Sequence, residues 1–562
     1  MATTSLILMI LAVSCNEDSF LEEKPLSIYS LENSLVTSTD YQSAINRMYY
    51  NVRNMVFGTA DGTNADSWGC YWAGTDFAFV SCDETKFNTW AATVVPTHQA
   101  PRDLYKMPFL NVTQANLVLS RIEKSSLSDA DKRQFRGEAL FFRGYAYKML
   151  ANLFGGVPLI VEEITSPRQD FVRSSRDETY TQAKNDLDEA ASLLTNIDQV
   201  KDGKISKQLA QHYLAEVYIS LGDYDKAIAT ATAVIDYSGI QLMTTRFGSK
   251  VNEPGDAYSD LYQPNNQNRA SGNLEALWVL QYEYKNAGTF NDSFFNYFNP
   301  FYSNITLTVD GVTVPAFLGN TAEKGGRSTG WAQPTKWFYD QLWEEGDQRN
   351  SEYMIVRDVQ IDNPASPAFG KWFVADGYCK QSNLYRQWFP FIRKIAGDVP
   401  SDYYQLNDNG SPKLTPLGEH LVNNINASFK DFYLVRLADT YLLRAEAYFG
   451  KNNQAAAAAD INIIRARVQA PLANAADIDI DYILDERMRE LYLEEIRLCT
   501  LMRLGKFVDR VRRYNAIYDG PGGAPRESSG TSVQEYHNLL PIPFDEIERN
   551  VLAKLEQNPG YK

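Results

Sequence analysis

Histidine is nearly missing from this chain. Its four copies, His98, His212, His420 and His537, are scattered, with no i,i+4 pair and no HExxH motif, so they offer no convergent metal-ligand set. His212 lies in a helical pattern and reads as a satisfied structural residue. No Gly-rich phosphate loop occurs, Gly325-Gly326 being only a turn signal, and no GxSxG elbow presents a serine nucleophile. Basic residues are outnumbered: 54 Lys and Arg against 70 Asp and Glu give a formal net charge of −16. That balance disfavours nucleic acid, whose phosphates demand a basic face, and electrostatic adhesion to anionic lipid. No apolar run approaches the roughly 18 residues of a membrane-spanning helix. Cysteine is sparse as well. Cys70 and Cys82 share one loop-like stretch, where an oxidising export route would permit a bridge, but sequence leaves paired and unpaired states equally open. Cys499, in an apolar helical pattern, reads as buried and inert.

What is present begins at the N-terminus. Leu6 to Val13 is a short apolar run ending in Ala12-Val13-Ser14-Cys15, followed at once by Asn16-Glu17-Asp18. This reads as a processed segment covering residues 1–14. The small-residue site ending in cysteine fits a bacterial lipoprotein signal, with Cys15 acylated and attachment supplied by the lipid. Hydrophobic residues make up 44% of the chain, enough for a large core, and 34 Tyr and 9 Trp stand among them. Packing is the default for most of those rings.

Helical periodicity dominates both halves. Gln134 to Leu153 places Ala139, Phe142, Ala146 and Met149 on one apolar face. Lys207 to Ile235 predicts two helices broken at Gly222-Asp223-Tyr224, and Phe432 to Val468 predicts a second pair broken at Gly450-Lys451-Asn452-Asn453. Small residues on their facing sides resemble tetratricopeptide units, helix–turn–helix pairs that bury their faces only by stacking on neighbours. Further helices are predicted at 41–52, 113–122, 179–194 and 483–504. The fold class is therefore mainly α: a tetratricopeptide-like scaffold over approximately 40–240 and 431–562. Between them, 241–430 is a loop-rich, irregular insertion with short strands at 276–282 and 305–309 and its clearest helix at 334–343. Loops carry function more often than scaffolds do, so much of a ligand site is expected in this insertion. The Gly520 to Thr531 loop reads as chemically silent.

The sequence resembles the SusD/RagB family of Bacteroidetes outer-membrane lipoproteins over nearly the whole chain after Cys15. The resemblance rests on an ordered set: Cys15 with Glu17-Asp18 after it, Arg136-Gly137-Glu138-Ala139 leading into Leu153-Phe154-Gly155-Gly156-Val157-Pro158, and the helical pairs at Tyr213 and Leu437. Arg465-Ala466-Arg467, Glu486-Arg487 with Glu490, Leu539-Leu540-Pro541-Ile542-Pro543 and Gln557-Asn558-Pro559-Gly560-Tyr561 follow. Glu494-Glu495-Ile496-Arg497 departs from the family's usual Glu-Gly-x-Arg. The acidic pair after Cys15 resembles the signal that exports such lipoproteins to the cell surface. The resemblance implies a non-catalytic, lipid-anchored, surface-exposed protein of the outer membrane that captures oligosaccharides and passes them to a SusC-like TonB-dependent transporter. A peptide ligand is the alternative, and a lid that binds nothing would bury both Trp331 and Trp90.

Glu486, Glu490 and Glu494 share a predicted helix face, and paired carboxylates serve glycosidases. The interleaved Arg487, Arg489, Arg497 and Arg503 favour ion pairs instead, so no catalytic residue is assigned. No cofactor is expected. A structural calcium is possible but not indicated, Asp408-Asn409-Gly410 being a turn before it is a metal loop. A neutral sugar offers C–H faces that stack on aromatic rings and a fringe of hydroxyls. Two regions suit it. One, where the resemblance places ligand loops, runs through Trp68, Tyr71, Trp72 and Asp83 to Trp90, with Arg102 beyond. The other is 291–302, with Tyr297 and Tyr302, together with Trp331 in a loop after Gly330. Asp83 and Arg102 are candidates for a polar rim. Trp278, Trp337, Trp343 and Trp372 read as core.

Overall fold

The computed structural model describes residues 35–57, 69–82, 87–286, 294–425 and 429–562. The signal segment with Cys15, and the site candidates Trp68 and Asp83, lie outside the described residues.

Helices α1 (Ser38–Phe57), α2 (Gln99–Ile122), α3 (Asp129–Phe154), α4 (Arg176–Leu193), α5 (Lys207–Ser220) and α6 (Tyr224–Ile235) form the first part of the scaffold. Side-chain caps fix their starts: Ser128 accepts from the Asp131 amide, and Ser175 forms a reciprocal capping box with Glu178. α2 begins well before the predicted Thr113. Its early residues include Pro101, which a first turn tolerates because that N–H has no helical partner, and the helix continues past Pro108. α3 shows more than one apolar face. It is buried nearly all round from Phe135 onwards, because α2, α4 and α10 (Arg497–Arg503) all pack on it. Its buried Arg143 is neutralised by a two-pronged contact with Asp186 on α4, at 2.7 and 2.8 Å.

The predicted helical pairs are present. α5/α6 and α7 (Leu437–Gly450)/α8 (Gln454–Arg467) stand some 200 residues apart in sequence yet stack directly, α7 against both α5 and α6. At the seam His212 is 2.9 Å from the Thr440 hydroxyl and 3.5 Å from Asp439, a satisfied core histidine. A Cβ on Gly450 would sit 2.5 Å from the Tyr224 ring, so glycine permits this approach.

The strands are short and include β1 (Ala78–Val80), β2 (Ala276–Leu280), β3 (Thr306–Val309), β4 (Val312–Pro315), β5 (Ala332–Pro334) and β6 (Phe432–Arg436). β2 pairs antiparallel with β6, so the chain leaves the scaffold and returns to it through one ladder, the neck of the insertion. Beyond the neck the insertion has a core of its own, built on Tyr302, Phe317, Ile361, Phe373, Trp388 and Phe391. β1 pairs with β5, tying the segment after α1 to the insertion.

Two element predictions are corrected. The helix expected over 334–343 is shortened: Pro334 ends β5, and a single wide helical turn covers Trp337–Gln341. The helix expected over 483–504 is split into α9 (Ile480–Leu491) and α10: Leu493 takes φ +62°, left-handed backbone that a helix cannot pass through.

Candidate functional site

The carboxylates weighed against catalysis from the sequence are structural. Glu486 and Glu490 share α9, whereas Glu494 lies beyond the break, and all three are buried. Glu486 meets Arg349 and Arg465 at 2.7 Å and Arg489 at 2.9 Å. Glu490 meets Arg436 at 3.0 Å, Arg349 at 3.2 Å and also Arg467. Glu494 meets Arg436 and Lys394, each at 2.6 Å. Burial alone would raise the Glu486 and Glu490 carboxyls. The surrounding arginines outweigh it and hold both at about 2. Arg349 and Lys394 come from the insertion, so this network docks the insertion on the scaffold. Of the four partners foreseen from the sequence, Arg489 does pair with Glu486, whereas three pair elsewhere: Arg487 with Asp439, Arg497 with Asp76, and Arg503 with Glu446.

Of the predicted aromatic platforms, Trp90, Trp72, Tyr71 and Tyr302 are packing residues. Trp90 is fully buried against Phe87 and Phe507. Trp72 donates its indole N–H to the Glu495 carbonyl at 2.7 Å and packs on Phe294. Tyr71 is wholly buried beside it, and Tyr302 sits in the insertion core on Phe317 and Phe391. Each lies in a loop or a short turn that is itself covered, which exposure rules for loops do not anticipate. Arg102 contacts Asp545 of the C-terminal segment at 3.3 Å. The reverse error occurs at Trp372, expected in the core. Extended alternation turns Phe373 fully inward and leaves Trp372 47% exposed. Trp278 and Trp337 are core, and Trp343 is half-buried against it. Cys499 is buried 3.9 Å from the Met149 sulfur, and burial pushes its thiol far up, which leaves it inert.

Trp331 and Tyr297 remain, and the fold brings them together. Tyr297 sits in the short helix Phe294–Phe298 and Trp331 immediately before β5. Their rings stack at 5.0 Å between centroids with planes 9° apart, and both are half-buried. Around them is a set of groups that periodicity gave no means to find. The Ser81 and Cys82 amides donate to the Trp331 carbonyl at 2.8 and 3.4 Å. The Ser81 hydroxyl donates to the Gly330 carbonyl at 2.6 Å, and the Tyr385 hydroxyl donates to the Ser81 carbonyl. Arg386 Nε donates to the Thr329 carbonyl at 2.8 Å, and the Asn299 carbonyl accepts from the Thr329 and Gly330 amides. Gln333 falls on the same face of the extended segment as Trp331 and donates to the Leu384 carbonyl at 3.2 Å. Gly330 before Trp331 was the sole local signal. Residues 381–388 show no apolar rhythm that would have marked Tyr385 or Arg386.

The ring pair can stack a flat apolar face, and the hydrogen-bonding groups around it hold the loops that carry it. Among the described residues, no group of three or more His, Cys, Asp or Glu could hold a metal ion. The 407–411 segment is a hairpin turn, in which Asn409 Oδ1 accepts from the Ser411 amide at 3.0 Å.

The sequence profile described as the SusD family matches residues 258–561, more than half of the chain. This chain belongs to the SusD family. A second profile, described as starch-binding and associating with the outer membrane, matches residues 19–219. The chain is 26% identical to the starch-binding protein SusD of Bacteroides thetaiotaomicron, covering 83% of this chain and 80% of that protein. It is 24% identical to the SusD-like protein P25 of Formosa agariphila, over 98% and 97% of the two. Among solved structures, a laminarin-binding SusD-like protein superposes with a TM-score of 0.63 at 22% identity, over 94% of this chain and all of that one. The helical fold is that of the SusD family, a family of binding proteins and not of enzymes.

Proposed function

We propose that the protein is a non-catalytic glycan-binding protein of the outer-membrane surface, and that Trp331 and Tyr297 form the platform on which a sugar ring stacks. The observation that carries this reading is the near-parallel, half-buried ring pair held at the junction of the insertion and the segment after α1. A sugar's C–H face fits such a ring, and its hydroxyls need donors and acceptors at the edge. Kinship with a starch-binding protein favours glycan over peptide. Lipid attachment through Cys15, and delivery of the captured oligosaccharide to a TonB-dependent transporter of the SusC kind, complete the reading.

The test is affinity gel electrophoresis of the protein lacking residues 1–15 against a panel of polysaccharides, starch first. Trp331→Ala and Tyr297→Ala run beside it, with Trp372→Ala as a control for an exposed indole elsewhere. Retardation by a glycan that is lost in Trp331→Ala and kept in Trp372→Ala is expected. Retardation that survives in Trp331→Ala would move the site elsewhere. No retardation by any glycan, with binding to a peptide panel, would overturn the glycan reading.

A further inference from the structure

The platform does not hold itself. Trp331 sits in a loop, and the position of its indole depends on where the main chain of 329–331 is fixed. That main chain is gripped by amides and side chains from two distant segments. Ser81 uses both its amide and its hydroxyl, on the carbonyls of Trp331 and Gly330 at 2.8 and 2.6 Å. Tyr385 holds Ser81 in turn, through its hydroxyl on the Ser81 carbonyl. From the other side, Arg386 donates to the Thr329 carbonyl at 2.8 Å, while its own carbonyl accepts from the Phe301 amide at 2.9 Å.

Gly330 makes the grip possible. Its φ is +57°, and a Cβ there would lie 2.2 Å from the Arg386 carbonyl oxygen. The two loops therefore meet backbone to backbone, a contact that only glycine allows. Ser81 itself is fully buried, so it cannot touch a ligand at the ring face.

We infer that Ser81 and Tyr385 are positioning residues of the ligand site: a hydrogen-bond relay, from the Tyr385 hydroxyl to the Ser81 carbonyl and from the Ser81 hydroxyl and amide to the Gly330 and Trp331 carbonyls, holds the Trp331 indole pre-set for stacking. This rests on the glycan-platform reading for its consequence in binding, but not for its claim about the ring's position. A pre-set ring loses little freedom when a ligand arrives, and that is where the relay acts on affinity. Ser81→Ala leaves the Gly330 carbonyl without its hydroxyl donor, and Tyr385→Phe keeps the ring but frees the Ser81 carbonyl.

The experiment is ¹⁹F NMR of the protein labelled with 5-fluorotryptophan, the Trp331 resonance being assigned by its loss in Trp331→Phe. It is read for wild type, Ser81→Ala and Tyr385→Phe, alongside retention on the glycan gel and a thermal melt. The expected result is a shifted or broadened Trp331 resonance in both variants, with the other eight tryptophan resonances unmoved. Affinity should then fall at least tenfold while folding is kept. A Trp331 resonance unchanged in both variants overturns the inference. So does a moved resonance with full glycan retention where Trp331→Ala abolishes it. If one variant fails to fold, the other decides by the same two readings. If wild type retains no glycan but the resonance moves, the relay stands as a positioning device and the glycan reading alone falls.

Discussion

Replacing Glu490 by glutamine separates a structural carboxylate from a catalytic one. In the folded protein Glu490 is completely buried among Arg349, Arg436 and Arg467. Burial works against its charge, yet the arginines hold its pKa at about 2, below the ordinary 4.5. That interval corresponds to about 3 kcal/mol of folding stability. Breaking a buried ion pair by removing one charge costs about 3–5 kcal/mol, since the remaining charges stay buried. The two routes agree on scale. The sign follows from a depressed carboxyl: the contribution is full above about pH 4.5 and is lost as pH falls through about 2. Urea unfolding should therefore show Glu490→Gln about 3–5 kcal/mol less stable than wild type at pH 7. By pH 3 the gap should have narrowed by about 2 kcal/mol, because the unfolded wild-type chain takes up the proton that the folded one refuses. A Gln variant as stable as wild type at pH 7 would refute the reasoning.

Trp90→Ala should lower the unfolding free energy by about 3–5 kcal/mol, the range for emptying a buried tryptophan site. The fraction that stays folded should bind glycan as wild type does, and loss of retention in folded Trp90→Ala would contradict its assignment to the core. Asp362 shows the opposite electrostatics to Glu490. Burial raises its carboxyl to about 6 in spite of the Leu318 amide donating to it at 2.7 Å. Its contribution is fully present below pH 3.8 and is lost as pH rises through about 6. Wild type should thus lose up to about 3 kcal/mol from this group between pH 4 and pH 7. Asp362→Asn, which keeps an acceptor for Leu318, should flatten that slope in urea midpoints. An unchanged slope would show that another group carries it.

Helices were legible where burial is one-sided or where small residues repeat. Ala227 and Ala231 on α6, and Ala438 and Ala445 on α7, marked the two pairs correctly. Their direct stacking across some 200 residues was not legible, because the contacts joining them, such as His212 to Thr440, carry no sequence rhythm. The break after α9 was missed because the apolar pattern runs on through Leu491, Leu493 and Leu498 while the backbone turns at Leu493. Tryptophan was the least readable residue. Trp90 and Trp331 both follow polar or small neighbours in loop-like sequence, yet one is sealed by Phe507 from 400 residues away and the other is held half-open by Ser81 and Tyr385. Burial of a loop ring is decided by what the rest of the chain lays over it, and no local window contains that information.

The buried ion network and the ring pair are linked through the insertion. Arg349 on Glu486 of α9 and Lys394 on Glu494 just beyond it fix the insertion to the scaffold, the β2–β6 neck fixes its two ends, and β1 pairs with β5 next to Trp331. The platform is thereby held from the scaffold side and from the N-terminal side at once. A single stacked ring contributes only about 0.5–1.5 kcal/mol beyond the area it covers, far short of the roughly 8 kcal/mol of a micromolar complex. Under the proposed delivery role tight binding would serve no purpose, since the cargo must leave again. What such a site needs is a small gain that is not spent on ordering loops. Charge pairs that dock the insertion, together with a hydrogen-bond relay through Ser81 that sets Trp331, meet that need without any residue having to perform chemistry.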